Sequence, residues 1–379
     1  QPWLGRGCEE QSMTLTNYWW LLIWLAAAGG LLTVAVPKVQ VKVLNKREYR
    51  WSWPAVLIFI CPYVIWCMNR KGFGDTELYR KTFYNLPGSL AQLPAYLAEY
   101  PKDKGFSVLS ILLKQFIGNS DKLFFLIIAL FQLICVAYFF RIYSEDFLMC
   151  MFMFVASTDY LSWMFNGMRQ FIAVSIVLLS YSQILKKKYV WAIVLILLAA
   201  TIHGSALLML PVMFVVTGRA WNKRTILMIA AFAVAILFVG RFTSFLETLL
   251  SETQYSDIMT NEIWTTDDGT NILRVLFYSI PTVLALIGKR YIDEENSPVI
   301  NLCVNCALCT TLVYALSAVT SGVYIGRIPI YTTLPGYIGA AWIIDHIFTS
   351  NSAKFAKGTL VVIYLAFFYY QMHVIWGVL

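Results

Sequence analysis

Two short polar blocks interrupt otherwise apolar runs: Asn166-Gly167-Met168-Arg169-Gln170 and Thr201-Ile202-His203-Gly204-Ser205. A third, Gly326-Arg327-Ile328-Pro329-Ile330-Tyr331, precedes a later apolar run. Ionisable side chains at membrane depth are costly, so they usually line a water-filled site or a substrate path and seldom face lipid. Arginine presents a planar fork of N–H donors that matches phosphate oxygens two at a time. Histidine, with an ordinary pKa of about 6.5, exchanges protons near neutrality. Arg169 and Arg327, with Arg274 at the start of another apolar run, therefore suit an anionic ligand, and His203 suits proton transfer. A carboxylate source precedes them in Arg70-Lys71-Gly72-Phe73-Gly74-Asp75-Thr76-Glu77-Leu78-Tyr79-Arg80. Asp75 is the alternative base, and with Glu77 it offers a carboxylate pair for a metal or for general-base work. Tyr79, Tyr84, Tyr96 and Trp264 have the flat rings on which sugars stack, and Arg80 adds a further cation.

These residues sit in a chain of 379 residues that is 59% apolar and only 13% charged, with a mean hydropathy of +0.66. That leaves too little polar surface for a soluble globule of this length, and implies an all-α, polytopic membrane protein. The net charge of +8 is carried in short groups between apolar runs, which is a topology signal and excludes a nucleic-acid surface. Nearly all of the eight cysteines fall inside apolar runs and give no disulfide framework. Cys303, Cys306 and Cys309 lie in an apolar helix without a fourth ligand, so they read as packing residues. No Walker lysine motif, dinucleotide-binding glycine turn or nucleophile elbow occurs, so ATP-driven transport and soluble-hydrolase chemistry lack support. Neither a metal nor a cofactor is expected.

Stretches of about 20 apolar residues predict about twelve spans: 15–36, 52–68, 122–140, 147–165, 168–185, 190–202, 204–217, 225–240, 272–288, 298–318, 328–346 and 359–378. The 106–118 segment is short and carries Lys114, and is expected as a re-entrant or interfacial helix. Residues 1–14 read as a leader, and no small-residue cleavage site follows the 15–36 span. Residues 15–379 form one membrane domain with outer loops 69–121 and 241–271, the latter holding Glu262, Trp264, Asp267 and Asp268.

Lysine and arginine gather at 38–50, 141, 186–188, 219–224, 289–290 and 354–357, which places those loops in the cytoplasm and both termini outside. Arg169 and Arg327 then fall at outer helix ends, where the positive-inside bias disfavours them. The legs flanking His203 are short, roughly 20 Å of helix against an apolar core of about 30 Å. This hairpin is expected to dip below the outer surface with His203-Gly204-Ser205 at its tip, as broken helices do at transporter ligand sites. His346 and His373 are placed elsewhere, which disfavours zinc or haem.

The series Gly74-Asp75, Lys104-Gly105-Phe106-Ser107-Val108-Leu109, Phe165-Asn166-Gly167-Met168-Arg169-Gln170-Phe171-Ile172-Ala173, Ala200-Thr201-Ile202-His203-Gly204-Ser205-Ala206 and Gly326-Arg327-Ile328-Pro329-Ile330-Tyr331 resembles the EpsG family of bacterial exopolysaccharide polymerases, related to the Wzy polymerases. The likeness runs from about residue 15 to the end of the chain. The chain departs from the family pattern at Lys104-Gly105-Phe106, where an acidic residue and a proline are expected before the glycine. Glu99 and Asp103 are therefore left out of the expected site.

The resemblance implies a fold similar to C-type membrane glycosyltransferases, with a polyprenyl-pyrophosphate-linked oligosaccharide as substrate. It also implies membrane lipids and other polysaccharide-assembly proteins as partners. On that reading Arg169 and Arg327 take the leaving pyrophosphate, His203 or Asp75 takes the proton of the attacking hydroxyl, and Gln170 and Tyr331 orient sugar or phosphate. Other classes stay in view: a flippase of lipid-linked oligosaccharide would need basic residues through the depth of several helices, a polyprenyl-phosphate-sugar-dependent transferase would add a single sugar, and a scaffold or sensor would need no intramembrane polar residues.

Overall fold

A computed structural model describes residues 15–100, 102–240 and 269–377. The 1–14 leader and the loop residues Glu262, Trp264, Asp267 and Asp268 lie outside the described residues. Each predicted span contains a helix: Leu15–Ala35, Trp53–Met68, Asp121–Tyr143, Phe147–Ala156, Met168–Leu185, Tyr189–Ile202, Met209–Val216, Lys223–Leu237, Ile272–Ile287, Pro298–Ala318, Ile330–Ile347 and Ser350–Tyr369. Most boundaries lie close to the apolar runs, but the last helix starts at Ser350, well before residue 359, and the 204–217 run is α-helical only from Met209. The capping follows the sequence. Ser52 precedes Pro54 in the first turn of one helix, and Asp146 and Asn222 accept from the backbone N–H groups that open two others.

The number of crossings is coarser than twelve. Five helices among the described residues are long and apolar enough to span a membrane by themselves, or up to seven if each bent pair counts as one span. The physical reason is length, since Tyr189–Ile202 and the apolar helix at Gly204–Val216 are shorter than a bilayer core demands. The predicted 147–165 span is broken, with a 69° bend between Phe147–Ala156 and Asp159–Asn166. Thr158 turns the chain there with a left-handed φ of 67°.

The fold is not wholly helical. Val39–Val43 and Lys46–Arg50 pair as an antiparallel hairpin across a tight turn at Leu44 and Asn45. The Val-Gln-Val-Lys-Val alternation carries this strand signal inside a linker otherwise marked by its charge. The 69–121 loop is also more ordered than a loop, holding Thr76–Asn85, Leu93–Glu99 and Lys104–Ile117 as helices.

Burial separates inner helices from a rim. Met168–Leu185 is 83% buried and Pro298–Ala318 78%, whereas the Tyr18–Ala35 and Ser350–Ile375 stretches are each 33% buried. The rim exposes Trp191, Leu227, Leu237, Phe355 and Val362, a lipid-facing surface rather than a watery one. Cys303, Cys306 and Cys309 are buried in the Pro298–Ala318 helix, and Gly339 packs closely on Cys303. Ion pairs sort by end. Lys357 bridges Asp146 and Asp345 at 2.8 Å each, Lys46 meets Glu295 and His346 faces Glu145 at the end predicted to be cytoplasmic. Arg169 meets Asp103 and Arg80 meets Asp121 at the other end.

Candidate functional site

Four backbone features converge at the end opposite Lys46 and Lys357. The first is a π-helical turn, Ser162–Asn166, that leads through Gly167 into the Met168–Leu185 helix. Arg169 therefore stands in a first helical turn, whose unpaired N–H groups and dipole favour anions. Arg70, only 3% exposed, clamps this turn from just after the end of the Trp53–Met68 helix. Its guanidinium donates to the Met164 carbonyl at 2.7 Å, reaches the Met168 sulfur at 3.0 Å and lies 3.8 Å from the Phe125 ring centre.

The second feature is Gly74, with φ +56°. A Cβ at that position would come within 3.0 Å of Asn166, so only glycine lets this loop bring Asp75 against the turn. The third is Gly105, where a Cβ would come within 2.7 Å of the Thr201 carbonyl oxygen. That close approach sets the start of the Lys104–Ile117 helix, and Asp103 before it, against the His203 turn. The fourth is the Ile325–Arg327 turn, in which the backbone at Gly326 leaves room only for the Thr270 hydroxyl.

Together these features produce one connected polar network. Asp103 holds Arg169 at 3.1 Å and accepts from the Gly204 N–H at 3.3 Å. His203 Nδ1 lies 2.8 Å from Ser205 Oγ, which in turn lies 2.9 Å from the Tyr331 hydroxyl. Gln170 Nε2 donates to the Arg327 carbonyl at 3.1 Å and reaches Ser205 Oγ at 3.5 Å. Arg169 and Arg327 are both close enough to His203 to act on it electrostatically, as is Asp103. Asp75 belongs to the same charge cluster. Burial pushes its carboxyl up from the ordinary range, and Arg327, Arg169 and Arg70 oppose that shift.

The network thus brings Arg169, His203, Arg327 and Asp75 together. Tyr79 is buried and hydrogen-bonds Arg169. Gln170 and Tyr331, 7% and 0% exposed, face protein atoms and support Ser205 and the Arg327 backbone from behind. Arg80 pairs with Glu77 and with Asp121, the latter at 2.6 Å. Arg274 lies between Tyr278 and Tyr314, near a buried Asp159 that accepts from the Tyr278 and Tyr337 hydroxyls. The contacts of Arg80 and Arg274 leave both outside the central network.

Three members of the site were not expected from sequence. Asp103 was set aside because its flanking residues depart from the family pattern, yet its place before Gly105 was the available signal. Ser205, two residues after His203, can fold back on the imidazole in a local turn of the kind serine favours. Arg70 gives no local sign of its role, because the atoms it binds lie more than ninety residues away.

A bundle with apolar rims, buried inner helices and arginines, a histidine and carboxylates gathered at one end defines a polytopic membrane protein with an anion-suited polar site. The chain belongs to the EpsG family, the family of exopolysaccharide and Wzy-like polymerases, which it matches over residues 52–376. Every member of the network lies within that range. Membership gives the coarse activity, polysaccharide polymerisation of glycosyltransferase type at a membrane. Neither a curated protein nor a solved structure matches the chain.

Proposed function

We propose that the protein polymerises polyprenyl-pyrophosphate-linked oligosaccharide repeat units into exopolysaccharide or capsule on the outer face of the bacterial cytoplasmic membrane. All twelve predicted spans cross the bilayer in this reading, in an arrangement similar to C-type membrane glycosyltransferases, and other polysaccharide-assembly proteins are its partners. The observation that carries the proposal is the network joining Arg169, His203 and Arg327 through Asp103, Ser205 and Gln170.

In the reaction the bond between the anomeric carbon of the growing glycan and its pyrophosphate oxygen breaks, while the acceptor hydroxyl oxygen bonds to that carbon. His203 takes the hydroxyl proton as general base, and polyprenyl pyrophosphate departs with its charge matched by Arg169 and Arg327. Asp75, held among the same arginines, is the alternative base. Tyr79 supports Arg169, while Arg80 and Arg274 act at a distance from the reacting atoms, on longer parts of the substrate. The arginines supply the charge compensation that a metal supplies in other phosphate chemistry.

Purified protein incubated with a lipid-linked repeat unit tests the reading directly. A ladder of products is expected. A single added sugar would replace polymerase by transferase, and lipid scrambling without product would replace it by flippase.

A further inference from the structure

Ser205 Oγ carries one proton and two lone pairs, and three groups surround it. Gln170 Nε2 also reaches the Arg327 carbonyl, which can only accept, so this nitrogen is the amide NH2 and donates to Ser205. One lone pair of Ser205 is thereby taken. Of His203 Nδ1 and Tyr331 Oη, one must then donate to Ser205 and the other accept its proton. The proton order along Tyr331, Ser205 and His203 therefore has only two settings. Each setting fixes a different tautomer of the imidazole.

The surroundings of His203 choose between them. Among the described residues none hydrogen-bonds Nε2, so that nitrogen is left for substrate. The charged groups acting on His203 are Arg169, Arg327 and Asp103. The two oxygens of Asp103 are already engaged by the Gly204 N–H and by Arg169. Two guanidinium groups against this one carboxylate leave one net positive charge around the ring, and a lone pair facing cations is lower in energy than an N–H facing them. We infer that Ser205 and Tyr331 are positioning residues that hold His203 as the Nδ1–H tautomer: Nδ1 donates to Ser205, Ser205 donates to Tyr331, and the Nε2 lone pair is left open. This rests on the reading of His203 as the general base, for which it provides the required lone pair.

The test is nitrogen NMR of 15N-histidine-labelled full-length protein without substrate, with the His203 signals assigned by their loss in His203→Asn. The Nδ1–H tautomer is expected in the native protein and in Ser205→Thr, which keeps the hydroxyl. Tyr331→Phe removes the acceptor of the Ser205 proton, so Ser205 turns to donate to Nδ1 and the tautomer switches to Nε2–H. Ser205→Ala is expected to give mixed tautomers, and to lower turnover about tenfold or more with KM nearly unchanged. Unchanged His346 and His373 signals show that each variant remains folded. An Nε2–H native protein, or a Tyr331→Phe variant that keeps the native tautomer, overturns the inference. If the tautomers behave as expected but His203→Asn still polymerises, the inference stands and the general-base reading falls.

Discussion

Asp103 and Arg169 meet at 3.1 Å, and the same carboxylate accepts from the Gly204 N–H at 3.3 Å. One side chain therefore ties the arginine that opens a helix to the turn that carries His203. Asp103 does so from a left-handed backbone, with φ 50°, a region that aspartate enters at modest cost. An anion that takes the Arg169 guanidinium must displace or share it with the Asp103 carboxylate, so anion binding and the Asp103 contact compete.

Asp103→Asn is accordingly expected to tighten inhibition by inorganic pyrophosphate while lowering turnover. Losing the negative partner frees Arg169, but it also loosens the turn that presents His203. Inhibition constants and turnover numbers measured together check this, and weaker pyrophosphate binding would show that Asp103 chiefly holds Arg169 in place.

Arg169→Lys is expected to fail to restore activity although it keeps the charge. Lysine lacks the planar fork needed to hold two phosphate oxygens at once. Wild-type turnover of the lysine variant at normal expression would reduce Arg169 to a setter of topology.

His203→Ala is expected to slow polymerisation by about a hundredfold to ten-thousandfold, the usual contribution of a general base, with lipid-linked substrate binding largely intact. If affinity falls as steeply as rate and turnover at saturation stays normal, His203 binds substrate and Asp75 takes over as base.

Polymerisation is expected to continue in chelator. The arginines gathered around Asp75 already offer the charge that a divalent cation would bring. Activity lost to chelator and regained with magnesium or manganese would make Asp75 a metal ligand.

Asp75→Asn is expected to melt at a higher temperature than the native protein at pH 7. Burial raises the Asp75 carboxyl, so the folded state binds its proton more tightly than the unfolded state does. Stability then falls as pH rises from the ordinary carboxylate range, about 4, through the raised folded value. The advantage of the amide should shrink as pH drops below about 4, where both side chains are neutral. Equal melting temperatures at both pH values would mean that Arg327, Arg169 and Arg70 fully offset burial.

The sequence by itself determined the helices, because the apolar run that suits a helix to lipid is a local property readable within about twenty residues. It also marked Arg169, His203 and Arg327, because an ionisable group in an apolar setting is conspicuous wherever it is folded. Tertiary structure decided which of them meet. Gly105 lying against Thr201 and Gly74 against Asn166 are close approaches between segments roughly ninety residues apart, and no local pattern encodes them. The same approaches drew in Asp103, whose neighbours had argued against it. They turned Gln170 and Tyr331 toward Ser205, and they left Arg274 among tyrosines. The Val39–Val43 hairpin strand was locally visible as alternation but masked by the charges of its linker. Residue type announces what a side chain can do, whereas packing between distant backbones selects the partner with which it does it.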